Sequence, residues 1–368
     1  MHKPLWISLR DALCTPATRA FFRAGAKAGL TLGKRVHGYV YARWPALYIG
    51  VLMGRHPLAQ PLVWLEARLR RLGLVSPETY ARFVEGYHGK VLHPGAARQL
   101  VQVNRPIAAT LPEKVLPYSR ARDIILEEGA AVALMQCPCR VSKKQHCTPV
   151  DVCIVVGDVM VDFVLTHHGD KARRVTPEEA LEVIRQEQRR GHAAHAFFKD
   201  AVLDRFYTIC NCCSCCCAAI ESHRNGTPTL ASSGYIATLD AARCTGCGLC
   251  ARRCPFGAIA VRQTTGQTDE TVGETAGNTA RQTTDQTADA AACDGETSRV
   301  NATANASATA ARATAPHATA SASATAHVDA TACMGCGVCT FNCPAGALRL
   351  EAAPQRGEPL TLPPDAAP

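Results

Sequence analysis

The residues of this sequence best suited to chemistry are its cysteines. Twenty of the 368 residues are cysteine, and all but Cys14 and Cys293 fall into three groups, at 137–153, at 210–217 and in a pair of stretches at 244–254 and 333–343. Secreted disulfide scaffolds are usually much shorter chains, whereas clustered thiols in a reducing compartment bind metal or carry out redox reactions. The grouping therefore favours metal or redox chemistry over a disulfide framework.

The two C-terminal stretches share one spacing. Residues 244–255 are CTGCGLCARRCP and residues 333–344 are CMGCGVCTFNCP, so each follows C-x2-C-x2-C-x3-C-P. In this pattern three close thiolates bind one [4Fe–4S] cluster, and the fourth cysteine, before proline, binds the other cluster. Zinc also accepts four cysteines, but two copies of this ending favour iron and sulfide. The glycines between the cysteines let the backbone approach the sulfides; they are Gly246, Gly248, Gly335 and Gly337.

The spacing predicts two ligand sets that exchange their fourth member. The first cluster is expected to bind Cys244, Cys247, Cys250 and Cys343. The second is expected to bind Cys333, Cys336, Cys339 and Cys254. The flanks repeat as well, because GAIAV at 257–261 and GALRL at 346–350 each predict a β-strand.

These motifs and flanks resemble the bacterial ferredoxins that carry two [4Fe–4S] clusters. The resemblance covers residues 234–260 and 326–352. It implies a ferredoxin-like dicluster fold, two [4Fe–4S] cofactors and transfer of single electrons, without a substrate site. The departure from the family is the separation of the two motifs by 78 residues, where a few tens are usual.

The separation arises from an unusual segment, residues 261–330. It contains 20 Ala and 15 Thr and has no aromatic residue, Leu or Ile. Such a composition buries too little apolar surface to offset the entropy of ordering, so we expect a disordered or loosely helical insertion. Because loop closure cost grows only logarithmically with length, the cluster pair should tolerate it.

Ten more cysteines precede the ferredoxin-like motifs and are candidate ligands of additional clusters. They are Cys137, Cys139, Cys147, Cys153, Cys210, Cys212, Cys213, Cys215, Cys216 and Cys217. If residues 210–217 are extended, alternation separates two sets of three. One side has Cys210, Cys212 and Cys216, and the other has Cys213, Cys215 and Cys217. A helix would divide them differently, with Cys210, Cys213 and Cys217 on one face. We therefore expect this segment to bridge two centres or to pair one centre with a free dithiol.

Three interpretations of these ten cysteines remain open. They bind one or two further iron–sulfur clusters in an electron wire, or they form a catalytic cluster and dithiol that reduces a small acceptor, or they bind structural zinc. Their order along residues 115–352 is similar to that in cysteine-rich iron–sulfur proteins of anaerobic bacteria that end in a ferredoxin dicluster. This resemblance implies metal binding and redox function but no substrate.

The elements that must position these residues indicate an α+β fold. Helix signals begin at Ser76-Pro77 and end at Gly86, and a second set runs from Thr176-Pro177 to Gly191. Short apolar segments between them predict strands. These segments are 130–137, 151–157 and 159–165.

Four regions follow from these patterns. We expect a basic helical module at 1–75, a cysteine-rich α+β domain at 76–222, a ferredoxin domain at 234–352 and a flexible tail at 353–368. The N-terminus lacks the apolar core of a signal peptide, and no apolar run reaches the length of a membrane span. A cytoplasmic protein without a transmembrane segment is therefore expected.

Charge is concentrated at the N-terminus. Residues 1–75 hold twelve Lys and Arg against two Asp and Glu, whereas the whole chain has a net charge of +9. This region is either a solvated face or the docking surface of a redox partner with acidic groups, and contact with an anionic membrane surface is the further alternative. No motif supports nucleic-acid binding. Aromatic residues in the same region predict the core of a small helical module.

Weaker candidates are histidines and one arginine. His167 and His168, or His192 and His195, could ligate metal or move protons, although hydrogen-bonded loop histidines are commoner. Arg140 follows Cys139 and is either a donor to a cluster or an ordinary surface residue. The sequence thus predicts an iron–sulfur electron-transfer protein, with an iron–sulfur reductase as the main alternative and a nucleic-acid-binding redox sensor as a third.

Overall fold

The computed structural model describes residues 15–72, 87–102, 131–203, 205–227, 229–263, 324–357 and 359. Several expectations concern residues outside this range. They are the helix at 76–86, Cys14, Cys293, residues 264–323 of the expected insertion and most of the tail.

Four helices form the N-terminal part of the described chain. They are α1 Pro16–Lys27, α2 Leu32–Arg43, α3 Pro45–Leu52 and α4 Ala59–Arg71. Thr15 and Thr31 cap the first two helices, because their side-chain oxygens accept hydrogen bonds from the backbone N–H groups of Thr18 and Lys34. None of the described helices is long and apolar enough to cross a bilayer.

A seven-stranded sheet forms the centre of the molecule. Its strands are β1 Tyr87–Val91, β2 Val132–Gln136, β3 Asp151–Val156, β4 Ala172–Val175, β5 Ala193–Lys199, β6 Arg205–Cys212 and β7 Leu230–Ala231. Their order in the sheet is β4-β2-β3-β6-β5-β1-β7. All neighbours are antiparallel except β1 and β7. Helices and sheet together confirm the α+β class.

Helices cover both faces of this sheet. Those that follow the N-terminal four are α5 Pro94–Gln102, α6 Pro138–Val141, α7 Asp158–His168, α8 Pro177–Arg189 and α9 Ala218–Arg224. On one face Leu134 and Ile154 pack with Ile184 of α8. On the other face Val155 packs with Phe163 of α7 and with Phe21 of α1. Alternation along β2 and β3 thus supplies two cores from the same strands.

The sequence predicted that the N-terminal aromatic residues form the core of a small helical module. In the structure they do not form a core of their own. Phe21 and Tyr41 are buried in the core that α7 and the sheet provide, and the Phe21 and Phe163 rings lie 5.1 Å apart. Trp44 and Trp64 instead are 43% and 64% exposed. The helices α1–α3 therefore pack on the α+β body and share its hydrophobic core.

One predicted strand was wrong. Residues 159–165 lie in helix α7, whereas the strands expected at 130–137 and 151–157 are β2 and β3. Gly157 has φ +87°, so the chain turns sharply there and the helix begins at Asp158. The buried residues of α7 follow the first at intervals of one, three and four positions, which is a helical pattern; they are Met160, Val161, Phe163 and Val164. A short apolar run fits a strand equally well, so the sequence alone could not distinguish the two.

The C-terminal part contains two repeated units. The first has β8 Tyr235–Leu239, α10 Leu249–Arg253 and β9 Ile259–Gln263, and the second has β10 Ala324–Val328, α11 Val338–Asn342 and β11 Leu348–Ala352. β8 pairs with β11, and β9 with β10, both antiparallel. The repeats therefore interlock. β9 and β10 also extend into both ends of the segment 261–330, which was expected to lack strands.

Candidate metal centres

The ferredoxin motifs surround two cavities of equal size. One cavity of about 20 Å³ is lined by the cysteines Cys244, Cys247, Cys250 and Cys343. The other, also about 20 Å³, is lined by Cys254, Cys333, Cys336 and Cys339. The fold therefore brings together the two groups that the spacing predicted, each with one cysteine from the other motif.

Backbone conformation repeats around these two cavities. The four glycines between the cysteines have φ values of +66°, +71°, +66° and +73°, a region that favours glycine; they are Gly246, Gly248, Gly335 and Gly337. A Cβ atom on Gly335 would collide with Ser233 Oγ and the Tyr235 carbonyl. Beside the fourth cysteines, the Ala258 and Ala347 N–H groups each donate to a sulfur, Cys254 and Cys343 Sγ, at 3.3 Å. Both cradles fit a cluster with thiolate ligands and N–H donors to sulfur.

The upstream cysteines separate into two sites. Six of them follow one another in a closed ring in which each thiol influences the pKa of the next, in the order Cys137, Cys139, Cys217, Cys212, Cys210 and Cys153. All six line a cavity of about 50 Å³, which we name the six-cysteine cavity. This volume is more than twice that of either ferredoxin cavity.

Adjacent strands position this ring. Cys137 follows β2, Cys153 lies in β3, and Cys210 and Cys212 lie on one face of β6. Because β3 pairs with β6, Cys153 Sγ comes within 3.9 Å of Cys210 Sγ. Cys217 precedes α9, where the chain leaves the sheet. Three neighbouring strands, together with α6 and the start of α9, therefore bring together thiols that are far apart in sequence.

The other four upstream cysteines form a more compact group, which we name the four-cysteine site. It consists of Cys147, Cys213, Cys215 and Cys216, whose sulfur atoms all lie within 4.8 Å of one another. Cys215 Sγ is 2.9 Å from Cys147 Sγ and 3.7 Å from Cys216 Sγ. Cys213 and Cys216 also line the six-cysteine cavity, so the two sites adjoin.

The cysteines of residues 210–217 do divide between two sides, but their membership differs from both predicted patterns. Cys217 joins Cys210 and Cys212, whereas Cys216 joins Cys213 and Cys215. Strand β6 ends at Cys212, and the chain then turns before α9 begins. Strand alternation therefore does not apply beyond Cys212, and neither does helical periodicity.

Four cationic side chains hold the backbone of this segment. Arg140 donates to the Asn211 carbonyl at 3.2 Å, Arg224 to Ser214 at 3.1 Å, Lys143 to Cys215 and Arg55 to Cys216 at 3.1 Å. Arg55 comes from the N-terminal helical region and also donates to the Cys139 carbonyl at 3.2 Å. Cations thus surround the segment that bears six thiols.

Arg140 is not the surface residue that the sequence allowed. Its side chain is fully buried and pairs with Glu187 at 2.5 Å, and it also donates to the Pro149 carbonyl. Its Nε has no partner among the described residues, and Arg140 lines the six-cysteine cavity. The guanidinium therefore joins the loop that precedes β3, the end of β6 and α8 in one buried network.

Hydrogen bonding distributes protons unevenly among the thiols. Hydrogen bonds with Cys147, Cys213 and Cys215 lower the pKa of Cys216. The pKa of Cys147 is raised instead, by its hydrogen bonds with the other three thiols of the site. In the ring, the hydrogen bond from Cys139 lowers the pKa of Cys217 to about 6. Each site thus contains thiols that ionise readily, and the thiolate is the form that binds metal.

The sequence analysis treated His192 and His195 as one candidate pair, but in the structure only His195 adjoins the upstream thiols. It lies in β5, is fully buried, and neither ring nitrogen has a hydrogen-bond partner among the described residues. One ring nitrogen lies within 4.8 Å of the sulfurs of Cys212 and Cys217. Burial lowers the pKa of His195 to about 4, so the imidazole is neutral. The sequence signal that could have singled out His195 is its position among the apolar residues of strand β5.

The other candidate histidines have structural partners. His167 lies 2.9 Å from Thr18 Oγ1, His168 lies 2.9 Å from the Ala42 carbonyl, and His192 lies 2.6 Å from Glu187. His167 and His168 end a helix, not a strand, and connect α7 to the N-terminal helices. These contacts agree with the commoner role of hydrogen-bonded histidines.

Comparison with known proteins identifies the C-terminal motifs. The family model of the 4Fe-4S binding domain matches residues 237–260 and 326–349. No curated protein and no solved structure matches the chain. The chain thus carries a ferredoxin-type domain with two [4Fe–4S] binding segments, and iron–sulfur electron transfer follows from it. The upstream sites lie outside the matched segments.

Proposed function

We propose that this iron–sulfur protein exchanges electrons between its two ferredoxin clusters and a third iron–sulfur cluster in the six-cysteine cavity. Six thiols exceed the four that a cubane needs, and the cavity is more than twice as large as either ferredoxin cavity. Such a cluster, when bound, accepts and releases single electrons. The cavity therefore has ligands and volume for a cluster at least as large as a cubane.

A direct packing connection between the two regions carries this proposal. Phe256 lines the ferredoxin cavity that contains Cys254, and its ring lies 6.2 Å from that of His195. His195 in turn adjoins Cys212 and Cys217 of the six-cysteine cavity. Arg224 reinforces this junction, because it donates to the carbonyls of Ser214 and Pro255. Two side chains thus separate one ferredoxin site from the upstream site.

The eight ferredoxin cysteines act as ligands in this proposal, in the two exchanged sets, and the six ring cysteines are the ligands of the third cluster. An anaerobic redox titration followed by electron paramagnetic resonance (EPR) tests it. We expect a third spectral component that is absent from Cys212→Ala and present in Cys250→Ala. A titration in which wild-type protein shows only two interacting cubanes would contradict the proposal.

A reductase is the second candidate, and one hydroxyl pair favours it. Tyr41 and Tyr207 line the six-cysteine cavity with their hydroxyl oxygens 2.6 Å apart, and burial raises the pKa of both. A bulge in β6 beside β5 directs Tyr207 to this face. Protonated hydroxyls beside an electron donor suit reduction of a small acceptor, such as a disulfide, with two electrons and two protons.

Turnover separates the two candidates. A reductase should oxidise the reduced clusters only when the acceptor is added, should lose this activity in Cys212→Ala, and should react more slowly in Tyr207→Phe. A carrier should show reversible oxidation and reduction without acceptor-dependent turnover. Cys250→Ala serves as a control that alters the ferredoxin domain and leaves the upstream thiols in place.

The N-terminal helices are the proposed docking surface of the redox partner. Large apolar side chains are exposed there, including Trp64 at 64% and Val63 at 60%, in a region rich in Lys and Arg. A partner with an acidic surface would be attracted to it, and the association should weaken as salt increases. Reduction of the partner measured over a series of ionic strengths tests this surface.

A further inference from the structure

We infer that the four-cysteine site holds one tetrahedrally coordinated metal ion, zinc, and that its thiols are not ligands of an iron–sulfur cluster. This inference does not require a third cluster in the six-cysteine cavity. It assigns four of the ten upstream cysteines to a mononuclear site and leaves six for redox chemistry.

Sulfur spacing is the first argument. A tetrahedral zinc ion with Zn–S bonds of about 2.3 Å holds its sulfurs roughly 3.8 Å apart. In the four-cysteine site all sulfurs lie within 4.8 Å of one another, with Cys215 Sγ 3.7 Å from Cys216 Sγ and 2.9 Å from Cys147 Sγ, so a bound ion would only need to move the last pair apart. Four irons and four sulfides need an interior that separates the thiolates of a cubane. In the six-cysteine ring, consecutive thiols interact around a cavity of about 50 Å³, whereas every sulfur of the four-cysteine site lies within 4.8 Å of every other. The ferredoxin cysteines provide an internal comparison, because within the described chain they form no group this compact.

Charge is the second argument. Four thiolates around a divalent ion carry a net charge of −2, which needs nearby cations or donors when it is half-buried. Lys143, Arg224 and Arg55 each donate to a carbonyl of the turn at 214–216, which carries two of the ligands. The protein thus supplies positive charge on three consecutive residues of the turn.

The connection between chain segments is the third argument. Cys147 lies in the loop before β3, whereas the other three cysteines follow β6, 66 or more positions later. A metal ion would link these segments, since structural zinc contributes directly to folding free energy. The linked turn separates Cys212 from Cys217, so the ion would position two ligands of the six-cysteine cavity.

Elemental analysis of the full chain, purified anaerobically, tests the inference. We expect about one zinc per chain, and X-ray absorption at the zinc edge should show four sulfur neighbours at about 2.3 Å. This measurement needs no variant. Zinc with nitrogen or oxygen neighbours would overturn the assignment, as would a chain with neither zinc nor a mononuclear iron. A Cys147–Cys215 disulfide in anaerobically purified protein would overturn it too.

Two matched variants add a second test. Cys215 does not line the six-cysteine cavity, whereas Cys153 lines it and lies outside the four-cysteine site. We expect Cys215→Ser to lose zinc and keep its sulfide, and Cys153→Ser to keep zinc. Where the proposed third cluster is present, Cys153→Ser should also lose its sulfide. Loss of sulfide together with several irons in Cys215→Ser would overturn the inference.

Iron as the occupant is distinguished by the same counts. A single ferrous ion would appear as one iron without matching sulfide, lost in Cys215→Ser, and would support mononuclear thiolate coordination with iron in place of zinc. If the zinc site is present but the proposed third cluster is absent, the protein should contain one zinc and about eight irons per chain, the iron content of two cubanes.

Discussion

The ferredoxin domain and the upstream cysteine region bring their cysteines together in opposite ways. In the ferredoxin domain three ligands of each cavity lie within seven consecutive residues, and only the fourth comes from the other motif. The six-cysteine cavity instead takes its cysteines from β3, from β6, from α6 and from positions just after β2 and just before α9. Local spacing defines the first kind of site, and tertiary structure defines the second.

This difference determines what each region tolerates. The ferredoxin sites depend on glycine conformations and N–H donors within short loops, so a long connection between the motifs is compatible with them. The upstream sites depend on strand register, on the buried Arg140 and on packing from the N-terminal helices. Mutations far from the thiols should therefore affect only the upstream sites.

The largest expected effect comes from Cys212→Ala. Removal of the Cys212 thiol opens the ring between Cys210 and Cys217, and this should abolish binding of the upstream cluster, because the five remaining thiols are held on different elements and cannot rearrange locally to close the gap. The ferredoxin clusters should remain, with about eight irons per chain. Iron and acid-labile sulfide assays measure this result. The comparison fails if Cys212→Ala also removes the ferredoxin iron.

Arg140→Gln should be the most destabilising change remote from the ferredoxin domain. It leaves Glu187 buried with fewer partners, and breaking a buried ion pair costs about 3–5 kcal/mol. Arg174→Gln is the control, because its pair with Asp162 is more than half exposed and such pairs contribute about 0–1 kcal/mol. Chemical denaturation monitored by circular dichroism measures both. Equal losses for the two variants would contradict a structural role for Arg140.

Gly335→Ala and Gly257→Ala form a matched pair within the ferredoxin domain. Both glycines have φ +66°, so alanine at either costs about 1–2 kcal/mol in backbone strain. Only at Gly335 does the added Cβ collide with neighbouring atoms, since Gly257 has open space. We expect Gly335→Ala to lose iron from one ferredoxin site and Gly257→Ala to keep it. Upstream iron should be unchanged in both, and a loss there would weaken the contrast between the regions.

Phe256→Leu should have the smallest effect on the structure, and it tests whether electrons pass between the two regions through Phe256. Leucine keeps an apolar side chain at this partly buried position, so the loss of stability should be small. The substitution removes the aromatic ring between the ferredoxin cavity and His195, so electron transfer to the upstream site should slow. Phe341→Leu is the control, because Phe341 is 42% exposed. Rapid-freeze EPR after partial reduction gives both rates, and equal rates would exclude this route.

The sequence predicted the ferredoxin domain well and the upstream cysteine region less well. Motif spacing alone grouped the eight ferredoxin cysteines as the fold places them, because three cysteines of each set are close in sequence and the cysteine before proline follows the exchange known for this motif. The strand at 159–165 was wrong, since Gly157 changes the chain direction and a short apolar run fits helix and strand equally. The assignment of Cys216 to the four-cysteine site and of Cys217 to the ring was also missed, because it depends on where β6 ends.

Buried polar groups were the hardest to predict. Arg140, His195 and Tyr41 reach the six-cysteine cavity through strand pairing and helix packing between residues up to 166 positions apart. No local pattern specifies such contacts. The basic character of the N-terminus was visible, but the contact of Arg55 with the Cys216 carbonyl required the folded structure.

Counting iron and acid-labile sulfide in anaerobically purified wild-type protein tests the central claim most directly. The proposed third cluster predicts that both counts clearly exceed eight per chain and that the excess disappears in Cys212→Ala. About eight of each, unchanged in Cys212→Ala, would show that only the ferredoxin motifs hold clusters and would contradict the proposal.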